Sequence, residues 1–217
     1  MPFPAVHPAL DRALINKGYA EPTPVQAAVL EAEHADRDLL VSAQTGSGKT
    51  VAFGLAAAPT LLGDKPIFGP GGAPLCLAIA PTRELAMQVA AELQWLYADA
   101  GAKIATCVGG MDARKEARAL NFGIDIVVGT PGRLKDHIER GNLDLSALRV
   151  LVLDEGRQSG GVGEGVITAL VEAGHGHLPV RRVCGADTYT PLAGAAMFGL
   201  PSDNAVIGAA LDLAQEP

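Results

Sequence analysis

Ala43-Gln44-Thr45-Gly46-Ser47-Gly48-Lys49-Thr50 follows the apolar run Leu39-Leu40-Val41 and leads into a helical pattern at 51–62. A strand, a glycine loop and a helix in that order make a phosphate cradle. The glycines let backbone N–H groups curl around phosphate oxygens with no Cβ in the way. The helix start adds its unpaired N–H groups and the positive end of its dipole. In such a site Thr45, Gly46, Ser47 and Gly48 wrap the phosphates, Lys49 reaches the β- and γ-phosphates, and the Thr50 hydroxyl ligates Mg²⁺. A glycine-rich turn with a chance lysine is the competing reading, and it leaves the flanking strand and helix unexplained. The expected ligand is a nucleoside triphosphate.

Outward from this loop, short apolar runs at 38–42, 75–80, 103–108, 124–128 and 149–153 alternate with helical patterns at 24–35, 51–62, 82–98, 112–120 and 131–140. The runs are rich in Val, Ile and Leu and apolar on both faces, as buried parallel strands are. The alternation predicts an α/β fold with a doubly wound parallel sheet. Ligands of such sheets bind beyond the carboxyl ends of the strands. The notable motifs follow Ser42, Ala80, Val128 and Leu153, so one shared functional face is expected. Residues 63–74 are rich in Gly and Pro and read as an exposed loop. After Glu155 the chain turns glycine-rich, with weaker helical patterns at 166–173 and 191–200 and extended ones at 180–184 and 205–207.

A chain of 217 residues with 48% hydrophobic residues can build one sizeable core. No apolar run reaches spanning length, so no membrane partner is expected. Met1-Pro2-Phe3-Pro4 has neither the basic start nor the apolar stretch of a secretory signal. Cys76, Cys107 and Cys184 are far apart, each in an apolar run, which reads as buried thiols in a reducing compartment. The expected location is cytoplasmic and the expected state a monomer. A net charge of −7 excludes a general nucleic-acid coat but not a local basic path.

Val150-Leu151-Val152-Leu153-Asp154-Glu155 is an apolar strand ending in two acids. Beside a phosphate loop, such a strand brings Asp154 to the Mg²⁺, usually through water, and leaves Glu155 to orient or deprotonate the attacking water. Alone, the pair would read as a solvated strand end. The cluster Arg114, Lys115 and Arg118 reads as a solvated helix face that could extend a nucleic-acid path. His175 and His177 have no metal-site spacing.

In these motifs the chain resembles the N-terminal RecA-like domain of a DEAD-box ATP-dependent RNA helicase. Gly18-Tyr19-Ala20-Glu21-Pro22-Thr23-Pro24-Val25-Gln26 is similar to the family's adenine-reading Q motif, and 43–50 to its motif I. Pro81-Thr82-Arg83-Glu84-Leu85-Ala86, Gly109-Gly110, Thr130-Pro131-Gly132-Arg133 and Asp154-Glu155 resemble the motifs that follow in order. The likeness covers about 8–155 and implies ATP and Mg²⁺ as cofactors and RNA as partner. It implies that Gln26 reads adenine through its amide, with Tyr19 and Thr23 flanking the base or simply packing. Phe3 is the upstream aromatic that could stack on adenine. Pro81, Thr82, Arg83, Gly109, Gly110, Thr130, Gly132 and Arg133 resemble the family's RNA-backbone contacts, which would carry little base specificity. Thr130-Pro131 also reads as a helix N-cap followed by proline at the first helical position.

The resemblance breaks after Glu155. The family continues Asp-Glu-Ala-Asp, where this chain has Gly156-Arg157, and the family's Ser-Ala-Thr slot reads Cys184-Gly185-Ala186-Asp187-Thr188. The expected organisation is one RecA-like domain over 1–217, with 156–217 a diverged tail completing or appended to the sheet. An altered reading frame and a fragment with its own stabilising end both fit that tail. A second RecA-like domain, expected to be absent here, supplies arginines in the family, and a missing arginine finger costs roughly 10³–10⁵ in rate. The chain alone is therefore expected to hydrolyse ATP poorly and to unwind nothing. The rivals are a nucleotide-binding module without turnover, a passive RNA-binding fragment and an unrelated P-loop ATPase.

Overall fold

The computed structural model describes Phe3, Val6, residues 7–31, Leu39, Val41 and residues 47–153. Within them the elements run α1 (Pro8–Asn16), α2 (Pro24–Val29), α3 (Lys49–Leu62), β1 (Cys76–Ile79), α4 (Arg83–Leu96), β2 (Ile104–Cys107), α5 (Ala113–Asn121), β3 (Ile126–Gly129), α6 (Pro131–Glu139) and β4 (Val150–Leu153). The four strands form one parallel sheet in the order β2-β3-β1-β4. The expected strand at 38–42 and the patterns after Leu153 lie outside the described residues.

Strand alternation divides the core. Cys76, Ala78, Ala80, Ile126 and Val128 face a layer built from α1, α3 and α4. Leu77, Ile79, Ala105, Cys107 and Val127 face Leu120 of α5 and Leu134 of α6. The chain steps outward from β1 to β2 through α4 on one face. It steps back through α5 and α6 on the other. Right-handed crossovers require this change of face when the direction of winding reverses. This is the doubly wound parallel sheet expected from the sequence. One strand departs from it: Val150 and Val152 pack on the first layer, whereas Leu151 and Leu153 are 37% and 48% exposed.

Three further features bear on the site. Helix α1 has no counterpart among the patterns read from the sequence; it starts at Pro8 with the His7 side chain accepting from Ala9 N–H, and buries Ala9, Leu10, Ala13 and Leu14. Helix α2 stops at Val29, short of the expected 35. Leu30 and Glu31 take hydrogen bonds three residues back, tightening the last turn and closing the ladder. Between α3 and α4, Gly54 gives the helices room: a Cβ there would lie 2.7 Å from Leu96 Cδ2 and 3.1 Å from Leu93 Cδ2. At the same crossing the buried Tyr97 hydroxyl donates to the Gly54 carbonyl at 2.6 Å. No described helix is long and apolar enough to cross a membrane.

Candidate functional site

The strand register puts Ile79, Cys107, Gly129 and Leu153 at one edge of the sheet. The segments beginning at Pro81, Gly109 and Thr130 therefore leave the sheet on the same side, at its carboxyl end, which is the shared face expected from the sequence.

Part of the phosphate loop falls in the described residues. Gly48 has φ +87 and precedes α3, whose N-terminus has no side-chain cap. Ser47 Oγ is buried with no hydrogen-bond partner. An orphaned hydroxyl beside an uncapped helix start suits an anionic oxygen. Lys49 and Thr50 are the first two residues of α3 and are half-buried. Thr45, Gly46, Asp154 and Glu155 lie outside the described residues, so of the expected Mg²⁺ ligands only Thr50 is placed.

Helix α2 is clasped onto this loop. Thr23 caps it: Thr23 Oγ1 accepts from Gln26 N–H at 3.4 Å, and Gln26 Oε1 accepts from Thr23 N–H at 2.9 Å. Thr23 Oγ1 also donates to the Ser47 carbonyl at 2.9 Å, and Gln26 Nε2 donates to the Gly48 carbonyl at 3.4 Å. Gln26 is fully buried. Its amide, expected from the resemblance to face adenine, here engages the cap and the loop. Gly48 is required by this contact as well as by its φ, since a Cβ would lie 2.5 Å from Gln26 Nε2. Tyr19 packs against its own fold on one side. Its ring stacks on Trp95 at 5.7 Å, with Lys17 Nζ 5.3 Å over the Trp95 ring. Burial, and then the Glu92 carboxylate, raise the Tyr19 hydroxyl above the ordinary tyrosine range. Phe3 packs against the core.

The second group of predicted residues forms an exposed surface. Pro81, Thr82, Arg83, Gly109, Gly110 and Gly132 are exposed. Thr82 caps α4 through its hydroxyl, accepting from Leu85 N–H at 3.3 Å. Thr130 is the N-cap of α6 with Pro131 opening the helix, as expected, and it caps through its carbonyl, with no side-chain hydrogen bond. Gly110 has φ +79, and a Cβ on it would approach Arg83 Nη1 to 3.0 Å. Gly109 and Gly132 face open space. Arg83 Nη2 donates to Met111 Sδ at 3.4 Å, and Arg133 Nη2 to the Met111 carbonyl at 3.1 Å. Arg114, Lys115 and Arg118 are exposed on α5, whose N-cap is Asp112.

Beneath this surface lies a buried polar cluster that the sequence reading missed. Glu116 Oε2 accepts from Arg133 Nη1 at 2.9 Å and meets His137 Nε2 at 2.8 Å, while Oε1 accepts from Val108 N–H at 3.1 Å. Cys107 Sγ, a Glu116 oxygen and a His137 nitrogen lie within 4.8 Å of one another. A cation there would compete with the Arg133 guanidinium for the same carboxylate. Burial first, and then Glu116, push the Cys107 thiol up to about 12 against the lowering effect of Arg133. The Arg133 guanidinium thus already takes the place next to Glu116 that a metal would need. Glu116 lies four residues before Leu120, on the same face of a charged helix, and only its burial marks it out from the charged residues around it.

A family model described as DEAD/DEAH box helicase matches residues 23–178. DEAD-box ATP-dependent RNA helicase 9 of rice is 40% identical over 159 residues, covering 73% of this chain and 25% of that protein. ATP-dependent RNA helicase DeaD of Escherichia coli is 45% identical over 168 residues, covering 76% of this chain and 26% of that protein. The chain thus spans about a quarter of the length of these relatives. The crystal structure of a hypothetical ATP-dependent RNA helicase from Sulfolobus tokodaii superimposes with a TM-score of 0.59 at 27% identity, covering 76% of this chain and 44% of that one. The chain belongs to the DEAD/DEAH box helicase family.

Proposed function

We propose that this chain is the ATP-binding, RNA-contacting first RecA-like domain of an ATP-dependent RNA helicase, a single domain that needs a second one to couple hydrolysis to duplex remodelling. The observation that carries this reading is the uncapped start of α3 beside the orphaned Ser47 hydroxyl. It opens the helix that packs against α4, whose first residue is Arg83. Helix N–H groups, Ser47 and Lys49 bind the triphosphate, with Thr45, Gly46 and Gly48 wrapping it. Thr50 and Asp154 hold Mg²⁺, which would neutralise charge between the β- and γ-phosphates. Glu155 orients the attacking water and takes its proton. Gln26 reads adenine by exchanging its long bond to the Gly48 carbonyl for the base, so adenine binding and loop geometry are linked through one amide.

On the neighbouring surface, Thr82, Arg83, Thr130 and Arg133 donate to phosphates, and the bare backbones at Pro81, Gly109, Gly110 and Gly132 allow close approach. Contacts of this kind read backbone shape, not sequence. The Gly156-Arg157 departure leaves open a rival of the same family, a nucleotide-binding module without turnover.

Calorimetry with Mg²⁺–ADP on the chain, Lys49→Ala and Gln26→Ala tests the site. Binding that falls at least about a hundredfold in Lys49→Ala and loses its preference over GDP in Gln26→Ala supports it. Equal binding of ADP and GDP by the parent chain removes the adenine site. Phosphate release that survives Glu155→Gln removes the proposed base.

A further inference from the structure

We infer that Glu116 is a positioning residue for RNA: from beneath the surface it sets both the glycine turn and the Arg133 guanidinium in the geometry that receives phosphate. This inference rests on the RNA reading of Arg133 and Gly109-Gly110 above.

Glu116 itself cannot touch the ligand. It is 8% exposed, and its charge would repel phosphate. What it touches are the two parts of the surface that do not share an element. Oε1 holds the N–H of Val108, the residue before Gly109. Oε2 holds Arg133 Nη1 and His137 Nε2, both from α6. Arg133 then closes the loop from the far side, donating through Nη2 to the carbonyl of Met111, the residue after Gly110. The glycine turn is thus gripped at both ends, at Val108 by the carboxylate and at Met111 by the guanidinium the same carboxylate holds. Arg83 joins through Met111 Sδ.

The pairing leaves the arginine able to work. A guanidinium has five N–H donors, and two are engaged here, so the remainder of the fork stays available to a phosphate. His137 supports the carboxylate from the buried side. Its Nδ1 lies 3.4 Å from Asn142 Nδ2, and the tautomer that accepts there places the proton on Nε2, directed at Glu116. A grip on RNA made from a glycine turn and a long side chain would otherwise lose conformational entropy at the moment of binding. The buried carboxylate removes that cost in advance.

The test uses the whole chain, Glu116→Gln, Arg133→Gln and the double variant. It measures binding of a labelled single-stranded oligouridylate across a salt series. Glutamine keeps the shape of Glu116 but offers one acceptor oxygen and no charge, so it cannot serve Val108 and Arg133 together. Expected for Glu116→Gln is roughly tenfold weaker RNA binding, the scale of one charge-assisted contact, with a salt slope shallower by about 0.7. The double variant is expected to bind more tightly than the sum of the two single losses implies, because the part of the Glu116 effect that runs through Arg133 is lost only once, leaving only its hold on Val108 to add. Amide exchange at 109–111 is expected to quicken in Glu116→Gln with no RNA present, while ADP affinity stays at the parent value. A merely structural ion pair would lower the melting temperature and leave the salt slope and the non-additivity unmoved. RNA affinity and salt slope equal to the parent in Glu116→Gln, or full additivity in the double variant, would overturn the inference while leaving the RNA reading in place. A parent chain that does not bind the oligouridylate overturns the RNA reading and this inference with it, and leaves the ADP result standing.

Discussion

The phosphate-loop corner and the arginine corner are built by opposite rules. In the first, neutral side chains hold backbone: Thr23 and Gln26 donate to the carbonyls of Ser47 and Gly48. The helix N-terminus and the Ser47 hydroxyl are left over. In the second, the guanidinium groups of Arg83 and Arg133 already have partners, and a buried carboxylate balances one of them. The difference follows from what each must do before its ligand arrives. A corner whose donors are mostly backbone N–H groups needs chiefly a fixed loop, because those donors have no side-chain rotamers to lose on binding. A corner whose donors are long cationic side chains needs them compensated and aimed, or their entropy and desolvation oppose binding.

Four measurements press on that contrast. Gly48→Ala is expected to cost about 2–4 kcal/mol in urea unfolding, from a left-handed backbone and a collision with the Gln26 amide together. An unchanged midpoint would mean the first corner is looser than its hydrogen bonds imply. Arg133→Met leaves the Glu116 carboxylate buried without its cation, and a loss of about 2–3 kcal/mol is expected, slightly below the fully buried range because Arg133 is 15% exposed. Thr23→Val removes the α2 cap and the bond to Ser47, neutral contacts worth about 1–2 kcal/mol together. If Thr23→Val proves costlier than Arg133→Met, the charged corner is not the more demanding one.

The smallest effect concerns pH. Asp112 is held below the usual carboxylate range by hydrogen bonds from the Arg114 and Lys115 backbone N–H groups, with the Lys115 and Arg118 charges adding to it. A carboxyl depressed in the folded state contributes stability above its unfolded pKa, near 4, and loses it as pH falls through the folded value. Thermal melts below about pH 4 should therefore fall less steeply in Asp112→Asn, which keeps an α5 capping oxygen but does not titrate.

The parallel sheet was legible because its strands are uniform apolar runs, and four of the five expected appear within a residue or two of their expected ends. Caps made the helices legible where they were strong: Thr82 and Asp112 mark α4 and α5. Helix α1 was missed because its start is a histidine before proline in a proline-rich stretch, a weak signal against Ser, Thr, Asp or Asn. The motif residues were legible one by one, but their partners were not. Nothing local says that Gln26 lies against Gly48, that Tyr19 lies on Trp95, or that Glu116 is the one buried charge of a polar helix. Those facts depend on which segments meet in space. Periodicity reports which side of an element is apolar, and is silent about which polar residue on the margin finds a partner.

The crossing of α3 and α4 at Gly54 has a mechanical consequence. Measured along the helices, it sits about 8 Å from Lys49 but about 15–20 Å from Arg83, at 1.5 Å per residue. Two helices locked there by the Tyr97 hydroxyl and the missing Cβ form an unequal-armed lever, and we predict that a tilt shared by both carries the arginine end about two to two and a half times as far as the lysine end. Distances between spin labels at Met87 on α4 and Lys135 on α6, which packs on the other face of the sheet, would show no change with ADP if the crossing is not a fulcrum. Gly54→Ala would shift its position by pushing Leu93 and Leu96 outward. On that prediction a small displacement at the phosphate loop would reach the far surface enlarged, through a joint that exists because one side chain is a single hydrogen.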